Sequence, residues 1–278
     1  MNIFHNKLDL VEHLNPFRAS GSSIGFVPTM GALHQGHLSL LNKSRSNNEI
    51  SVVSIFVNPT QFNSSSDLLT YPKNLKQDYN LLKNISDELI IFVPDSKEIY
   101  GDKMVTKSYD FKGLDKYMEG EFRDNHFDGV ATVVELLLEI VKPNTAYFGE
   151  KDFQQLQIIR SLKTNVQIIG CETQRDKNGL ALSSRNNKLT LKSKELASNI
   201  FKNLILIKSS LSDCSIEELC KTVKCNINSS HQMNLEYLII ADEDKLVPTK
   251  SIKFKKKYRA FISVFVDGIR LIDNIALN

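Results

Sequence analysis

Two histidines three residues apart, His34 and His37, stand in the run Pro28-Thr29-Met30-Gly31-Ala32-Leu33-His34-Gln35-Gly36-His37. The run follows an apolar segment that reads as a strand and opens a segment that reads as a helix. A helix start offers unpaired N–H groups and the positive end of its dipole to phosphate. Gly31 and Gly36 let the backbone approach a ligand closely. One helical turn puts both imidazoles on one face, where they can donate hydrogen bonds to phosphoryl oxygens as charge develops there. Of the two, His37 is the better candidate for a general acid, being nearer the helix amides. The plainer alternative is two surface histidines beside a turn.

Three further groups of residues could serve the same chemistry. Gly149-Glu150-Lys151-Asp152, followed by Gln155, again sits at a strand-to-helix junction. Lys151 supplies a mobile point charge suited to phosphate, and Asp152 is placed to cap a helix whose face Gln155 shares. Leu182-Ser183-Ser184-Arg185 combines small hydroxyls with an arginine. That suits a flexible anion clamp, and equally a capping sequence at the start of a helix. Asn58 and Gln61 follow a β-branched apolar run. Their neutral amides can bind hydroxyls without competing for phosphate.

The elements that must hold these residues alternate in type. Strand-like runs at 24–27, 51–57, 89–93, 146–148 and 166–169 are separated by helical stretches at about 36, 74–84, 129–141 and 152–163. This rhythm predicts an α/β fold with a Rossmann-like, doubly wound parallel sheet, in which ligands bind beyond the carboxyl ends of the strands. Near residue 176 the rhythm changes. Two helices, about 192–210 and 215–228, precede strand-like runs at 235–240 and 259–266. The expected division is a catalytic domain over 1–176, binding the nucleotide and substrate, and a smaller α+β lid domain over 177–278.

Charge follows the same division. Residues 1–176 carry 18 basic and 22 acidic side chains, and residues 177–278 carry 17 and 10. The second part can therefore attract an anion, although the run Lys253, Lys255, Lys256 and Lys257 reads as a solvated face. The overall charge of +3 is too small for a nucleic-acid binder. No apolar run is long enough to cross a membrane, and the acidic residues of the first fifteen argue against an export signal. The four cysteines, Cys171, Cys214, Cys220 and Cys225, form no C-x-x-C pair, and read as unpaired thiols of a cytoplasmic protein rather than a zinc site.

The segments PTMGALHQGH, VVSIFVNPTQF, YPKNLKQD, HFDGVATVVELLLEIVKPNTAYFGEKDFQQL and GLALSSRN together resemble the pantoate–β-alanine ligase family, in that family's order, and cover residues 24–190 densely. The resemblance implies an ATP-dependent ligase that joins (R)-pantoate to β-alanine through a pantoyl adenylate. It places ATP along Met30–His37, Gly149–Asp152, Gln174 and Leu182–Arg185, with His34, His37, Lys151, Ser183 and Arg185 catalytic. Pantoate falls to Gln61 and Gln155 with Met30 and Asn58, and β-alanine enters beside Gln61. It also implies Mg²⁺ carried mainly by the nucleotide, a homodimer, and Arg123 near the pantoate or the lid. Departures are Leu182 where methionine is usual, Gln174 where an apolar adenine contact is usual, and Gln77 before Asp78 where an acidic pair is common. No metal ligand is assigned. A nucleotidyltransferase acting on a phosphorylated substrate would need basic groups where Gln61 and Gln155 stand. A non-catalytic nucleotide-binding protein would dispense with His34, His37 or Lys151.

Overall fold

The computed structural model describes residues 1–253 and 255–278. Two compact units share the chain. One comprises Met1–Phe111, Arg123–Glu150 and Gln155–Glu172, the other Lys112–Phe122, Lys151–Gln154 and Thr173–Asn278.

In chain order the elements up to residue 171 are β1 (Asn2–Phe4), α1 (Lys7–Ala19), β2 (Ile24–Thr29), α2 (Gln35–Asn47), β3 (Ile50–Ile55), α3 (Ser65–Leu69), α4 (Leu75–Lys83), β4 (Ile90–Phe92), α5 (Ser96–Tyr100), α6 (Glu119–Phe122), α7 (His126–Val141), β5 (Thr145–Gly149), α8 (Phe153–Arg160) and β6 (Gln167–Cys171). The six strands form one parallel sheet in the order β1-β4-β3-β2-β5-β6. The order reverses between β2 and β5, so right-handed crossovers on either side send helices to opposite faces, the doubly wound arrangement. β3 is buried along almost its whole length, which explains its unbroken apolar and β-branched sequence. α7 is apolar for the same reason, and ends where Lys142 takes a left-handed conformation just before Pro143.

The run at 24–27 is the second strand rather than the first, and it continues through Pro28 to Thr29. The Thr29 carbonyl accepts from Phe56 N–H on the β3 side, so by alternation Pro28 faces the β5 side. There pairing has already stopped at Phe26 and Ala146, and the missing proline N–H has no ladder to break. The end of β2–β5 pairing also leaves the carboxyl ends of these two strands unjoined at the switch point, where such sheets bind ligands.

The second unit contains α9 (Leu191–Ser210), α10 (Ile216–Asn228), β7 (Met233–Asp242), β8 (Tyr258–Val266) and β9 (Ile269–Ala276). The strands form an antiparallel sheet, β7-β8-β9. Its core joins Ile200, Leu204 and Ile207 of α9 and Val223 and Ile227 of α10 to Ile262 and Val264 of β8. Caps start both helices as their sequences suggest: Thr190 Oγ1 accepts from Ser193 N–H, and Ser215 and Glu218 form a reciprocal box. Segment 112–122 is held by a buried network. The Arg270 guanidinium donates to both Glu119 oxygens at 2.7 and 2.8 Å, Tyr237 Oη–H donates to Glu119 at 2.9 Å, and Gln154 donates to the carbonyls of Leu114 and Tyr117. All four cysteines are free thiols.

The turn after β2 depends on α4. Gly31 and Ala32 both adopt positive φ, +77° and +48°, a conformation that is unfavourable for alanine. Asp78 of α4 is buried and compensates it. Its two carboxylate oxygens accept the N–H groups of Ala32 at 3.1 Å and Leu33 at 2.7 Å. A Cβ on Gly31 would stand 3.1 Å from the same carboxylate and 3.0 Å from Ile55, so the positive φ favours glycine and the space around it is tight for any side chain. Burial pushes the Asp78 carboxyl above the usual range, and the two amide bonds pull it part of the way back.

Asp78→Ala leaves the buried Leu33 amide and the half-buried Ala32 amide without acceptors, and stability should fall by about 2–4 kcal/mol. The folded-state value of Asp78 is raised, so its contribution to stability is full below the unfolded carboxyl value and declines as pH rises through the folded one. The stability gap between wild type and Asp78→Ala should therefore be wider at about pH 4 than at about pH 7.5. Urea titrations of both proteins at the two pH values measure it, and a gap that narrows on acidification contradicts the assignment.

Candidate functional site

The first histidine is not inside a helix but caps one. His34 is the extended N-cap residue of α2 and His37 its third residue. His34 Nδ1 accepts the Gly36 N–H at 3.1 Å, and His37 Nδ1 accepts the His34 N–H at 3.3 Å. The imidazoles thus form a reciprocal capping box, a role normally taken by Ser or Thr with Glu. Their centroids are 4.1 Å apart and the planes tilt by 38°. With each Nδ1 accepting, the neutral tautomer of each ring carries its proton on Nε2. Both rings stand at the start of a 13-residue helix. The reason for preferring His37 does not hold, because each ring is bonded directly to a main-chain amide.

This arrangement changes how the helix start acts. By sequence alone its amides are available to phosphate. In the structure Gly31 N–H donates to Thr29 Oγ1, Ala32 and Leu33 N–H to Asp78, His34 N–H to His37, Gly36 N–H to His34, and His37 N–H to the His34 carbonyl. The loop's amides are largely bonded within the protein. Two of these amides are bonded by imidazole nitrogens, and each such bond polarises its ring.

Gln61 belongs to a short 3-10 turn, Pro59–Gln61, beyond the carboxyl end of β3. Its side chain meets Met30, with Gln61 Nε2 2.9 Å from Met30 Sδ, and its Oε1 accepts from Asn58 Nδ2 at 3.1 Å. The structure therefore brings together three of the four residues the resemblance assigns to pantoate. The Gln61 backbone carbonyl accepts from Arg123 Nη2 at 3.2 Å and pairs with His126 Nδ1 at 2.8 Å. Arg123 thus reaches the Gln61 turn. Gly129 of α7 packs so closely on this turn that a Cβ would come 2.4 Å from the Thr60 carbonyl oxygen. Gly149 ends β5 and Gln155 lies in the first turn of α8.

Residues 150–152 form a 3-10 turn and α8 begins at Phe153. Asp152 is thus the last residue of that turn, with its carboxylate 3.4 Å from Lys151 Nζ. In the second unit the Lys151 carbonyl accepts from Asn274 Nδ2 at 2.8 Å, and the Arg259 guanidinium lies 4.0 Å from the Phe153 ring centroid. Gln174 and Leu182 are paired, the Leu182 N–H donating to the Gln174 carbonyl at 2.9 Å. Ser183 caps a 3-10 turn, Ser184–Lys188, accepting from Arg185 N–H at 3.3 Å, and Asn186 Nδ2 holds the Ala181 carbonyl. The capping alternative for Ser183 is thus realised, on a 3-10 turn rather than on α9, which Thr190 caps.

Sequence reasoning misses Asp78 as the support of the histidine loop. Its only signal is a lone acidic residue one turn into a predicted helix, which gives no hint of a target 45 residues away. Both oxygens already accept main-chain N–H groups, which suits a structural carboxylate better than a metal ligand. Among the described residues no group of three or more His, Cys, Asp or Glu side chains could hold a metal ion.

The pantoate-beta-alanine ligase family profile matches residues 2–276. The chain is 48% identical to the pantothenate synthetase of Flavobacterium psychrophilum over 281 residues and 45% identical to that of Christiangramia forsetii over 282, covering all of each protein. Among solved structures, pantothenate synthetase from Thermus thermophilus aligns with a TM-score of 0.90 at 33% identity, over 100% of this chain and 99% of that one. Pantoate-beta-alanine ligase from Francisella tularensis, solved with "Beta-gamma ATP" and beta-alanine, aligns with a TM-score of 0.81 at 38% identity, over 100% and 98%. With the fold, the histidine loop and the matches over its whole length in agreement, the chain belongs to the pantoate-beta-alanine ligase family.

Proposed function

We propose that this chain condenses (R)-pantoate with β-alanine in two steps at the residues described above. In the first, a pantoate carboxylate oxygen attacks the α-phosphorus of ATP and the bond to the β-phosphate oxygen breaks, giving pantoyl adenylate and pyrophosphate. In the second, the β-alanine amine attacks the acyl carbon and AMP leaves with the bonding pair, the amine losing a proton. A free carboxylate is a poor acylating agent, and adenylation supplies its leaving group. The protein contributes alignment and stabilisation of charge.

The capping of α2 by two imidazoles carries this reading, because it supplies two Nε2–H donors on a fixed turn. They are assigned to phosphoryl oxygens of ATP, as are Lys151, Ser183, Ser184 and Arg185. Met30–Gln35, Gly36, Gly149–Asp152, Gln174 and Leu182 line the nucleotide. Gln61 and Gln155, with Met30 and Asn58, take pantoate. Magnesium enters as part of the MgATP substrate. Residues 1–176 and 177–278 are read as the catalytic and lid domains of a cytoplasmic homodimer. No helix among the described residues is long and apolar enough to cross a membrane.

His34→Ala and His37→Ala should each lower the rate of pyrophosphate formation on the order of 10²–10³, the scale of removing one preorganised donor. Single-turnover release of pyrophosphate measures it, and near-normal release in either variant removes that histidine from the site. Gln155→Ala should raise the pantoate KM while ATP binding, followed by calorimetry, stays close to wild type. Equal losses for both ligands would place Gln155 with the nucleotide.

A further inference from the structure

Neutral amides are ambiguous recognition groups, since a carboxamide offers a donor edge or an acceptor edge depending on how it is turned. Gln61 is not left to choose. Its Oε1 accepts from Asn58 Nδ2, which turns its NH₂ group the other way, where one N–H meets Met30 Sδ at 2.9 Å and the second is the donor for a further acceptor. Asn58 in turn is buried, at 1% exposure, and its hydrogen bonds fix which way its own amide is turned. Its Nδ2 also donates to the Gly129 carbonyl at 3.2 Å, and its Oδ1 accepts from Thr60 Oγ1 at 3.0 Å and from Tyr100 Oη at 2.6 Å.

Tyr100 makes the shortest bond in this set. It is the last residue of α5, a five-residue helix, and its hydroxyl also lies 3.1 Å from Thr60 Oγ1. Burial pushes the hydroxyl above its ordinary value, so it keeps its proton and can donate. The Phe56 ring packs beside the Tyr100 ring, with centroids 6.4 Å apart.

We propose that Tyr100 is a positioning residue for substrate selection: through Asn58 it fixes the Gln61 carboxamide with its N–H edge presented, so that Gln61 recognises a hydrogen-bond acceptor, such as a carboxylate or hydroxyl oxygen of the organic acid. The inference rests on the reading of Gln61 as a pantoate group. Tyr100 need not touch substrate. Loss of its hydroxyl leaves Asn58 Oδ1 with the weaker Thr60 bonds and loosens the orientation of Gln61.

The test compares Tyr100→Phe, Thr60→Val and Gln61→Ala with wild type, measuring KM for pantoate and for ATP, kcat, and the thermal midpoint. One net hydrogen bond predicts a rise in pantoate KM of roughly 2- to 10-fold for Tyr100→Phe, with ATP KM unchanged. Thr60→Val, which removes the other hydroxyl on the same oxygen, should act in the same direction and keeps the test open if Tyr100→Phe does not fold. The ¹⁵N-labelled side-chain amide resonance of Gln61 should shift or broaden in Tyr100→Phe, which a merely space-filling tyrosine would not cause. An unchanged pantoate KM in both Tyr100→Phe and Thr60→Val, with Gln61→Ala impaired, overturns the role of Tyr100 alone. An unchanged pantoate KM in Gln61→Ala overturns the assignment of Gln61 itself. Parallel rises in the KM of pantoate and ATP in Tyr100→Phe would show a general loss of structure and also overturn the proposal.

Discussion

The buried carboxylate of Asp78, bound through both oxygens to the N–H groups of Ala32 and Leu33, is the contact on which the candidate site depends. It holds two successive left-handed residues in place between the end of β2 and the cap of α2. Such conformations persist only where the surroundings over-determine them. With the turn fixed, His34 can sit extended at the N-cap and His37 can reach back to it. Burying a carboxylate is unfavourable unless its hydrogen-bonding capacity is used, and the two amides use it. Desolvation of Asp78 is thus offset in part by the bonds that define the backbone of the histidine loop.

Much of this architecture was legible in the sequence. The apolar, β-branched run of β3 and the apolar α7 announced buried elements in a parallel sheet, and the glycine-containing turn before two histidines marked the end of a strand at the ligand-binding edge. What escaped were elements whose signals are short or averaged out. β1 has three residues, and α1 carries Pro16 inside it with only Leu10 and Leu14 buried. β9 buries Asp273 and Asn274, because Arg175 pairs with Asp273 at 2.5 and 2.9 Å and Asn274 accepts from Arg259 at 2.6 Å. Polar residues at inward positions spoil the alternation that betrays a strand.

The same limit applied to the site. Residue types and spacing picked out His34, His37, Asn58 and Gln61, because each lies just after a strand in a local pattern. The residues that fix them, Asp78 and Tyr100, come from α4 and α5 and act through long-range contacts. Nothing in their local sequence distinguishes them from an ordinary surface carboxylate or core tyrosine. Single-sequence reasoning thus finds groups that could do chemistry more readily than the groups that aim them.

The internal bonding of the loop amides bears on how charge is handled. A phosphate cradle built on main-chain N–H groups, as in a glycine-rich loop, would have to leave them without internal partners. Here those of residues 31–34, 36 and 37 are bonded within the protein, and a negative charge, Asp78, lies beneath the turn. The N–H groups of Ala32 and Leu33 neutralise that charge locally and limit its repulsion of an anionic ligand. On the proposed reading, the positive end of α2 acts on the nucleotide through imidazoles whose Nδ1 atoms are tied to backbone N–H groups. Each amide bond at Nδ1 polarises its ring and makes the opposite Nε2–H a stronger donor. Such a donor reaches a side chain's length beyond the main chain, yet the cap holds its direction. A hydrogen bond to a charged acceptor is roughly twice as strong as one to a neutral acceptor. For a reaction in which negative charge grows on phosphoryl oxygens as a bond to the leaving pyrophosphate breaks, a fixed donor aimed at that charge stabilises the transition state more than the ground state. That difference alone raises the rate of the chemical step.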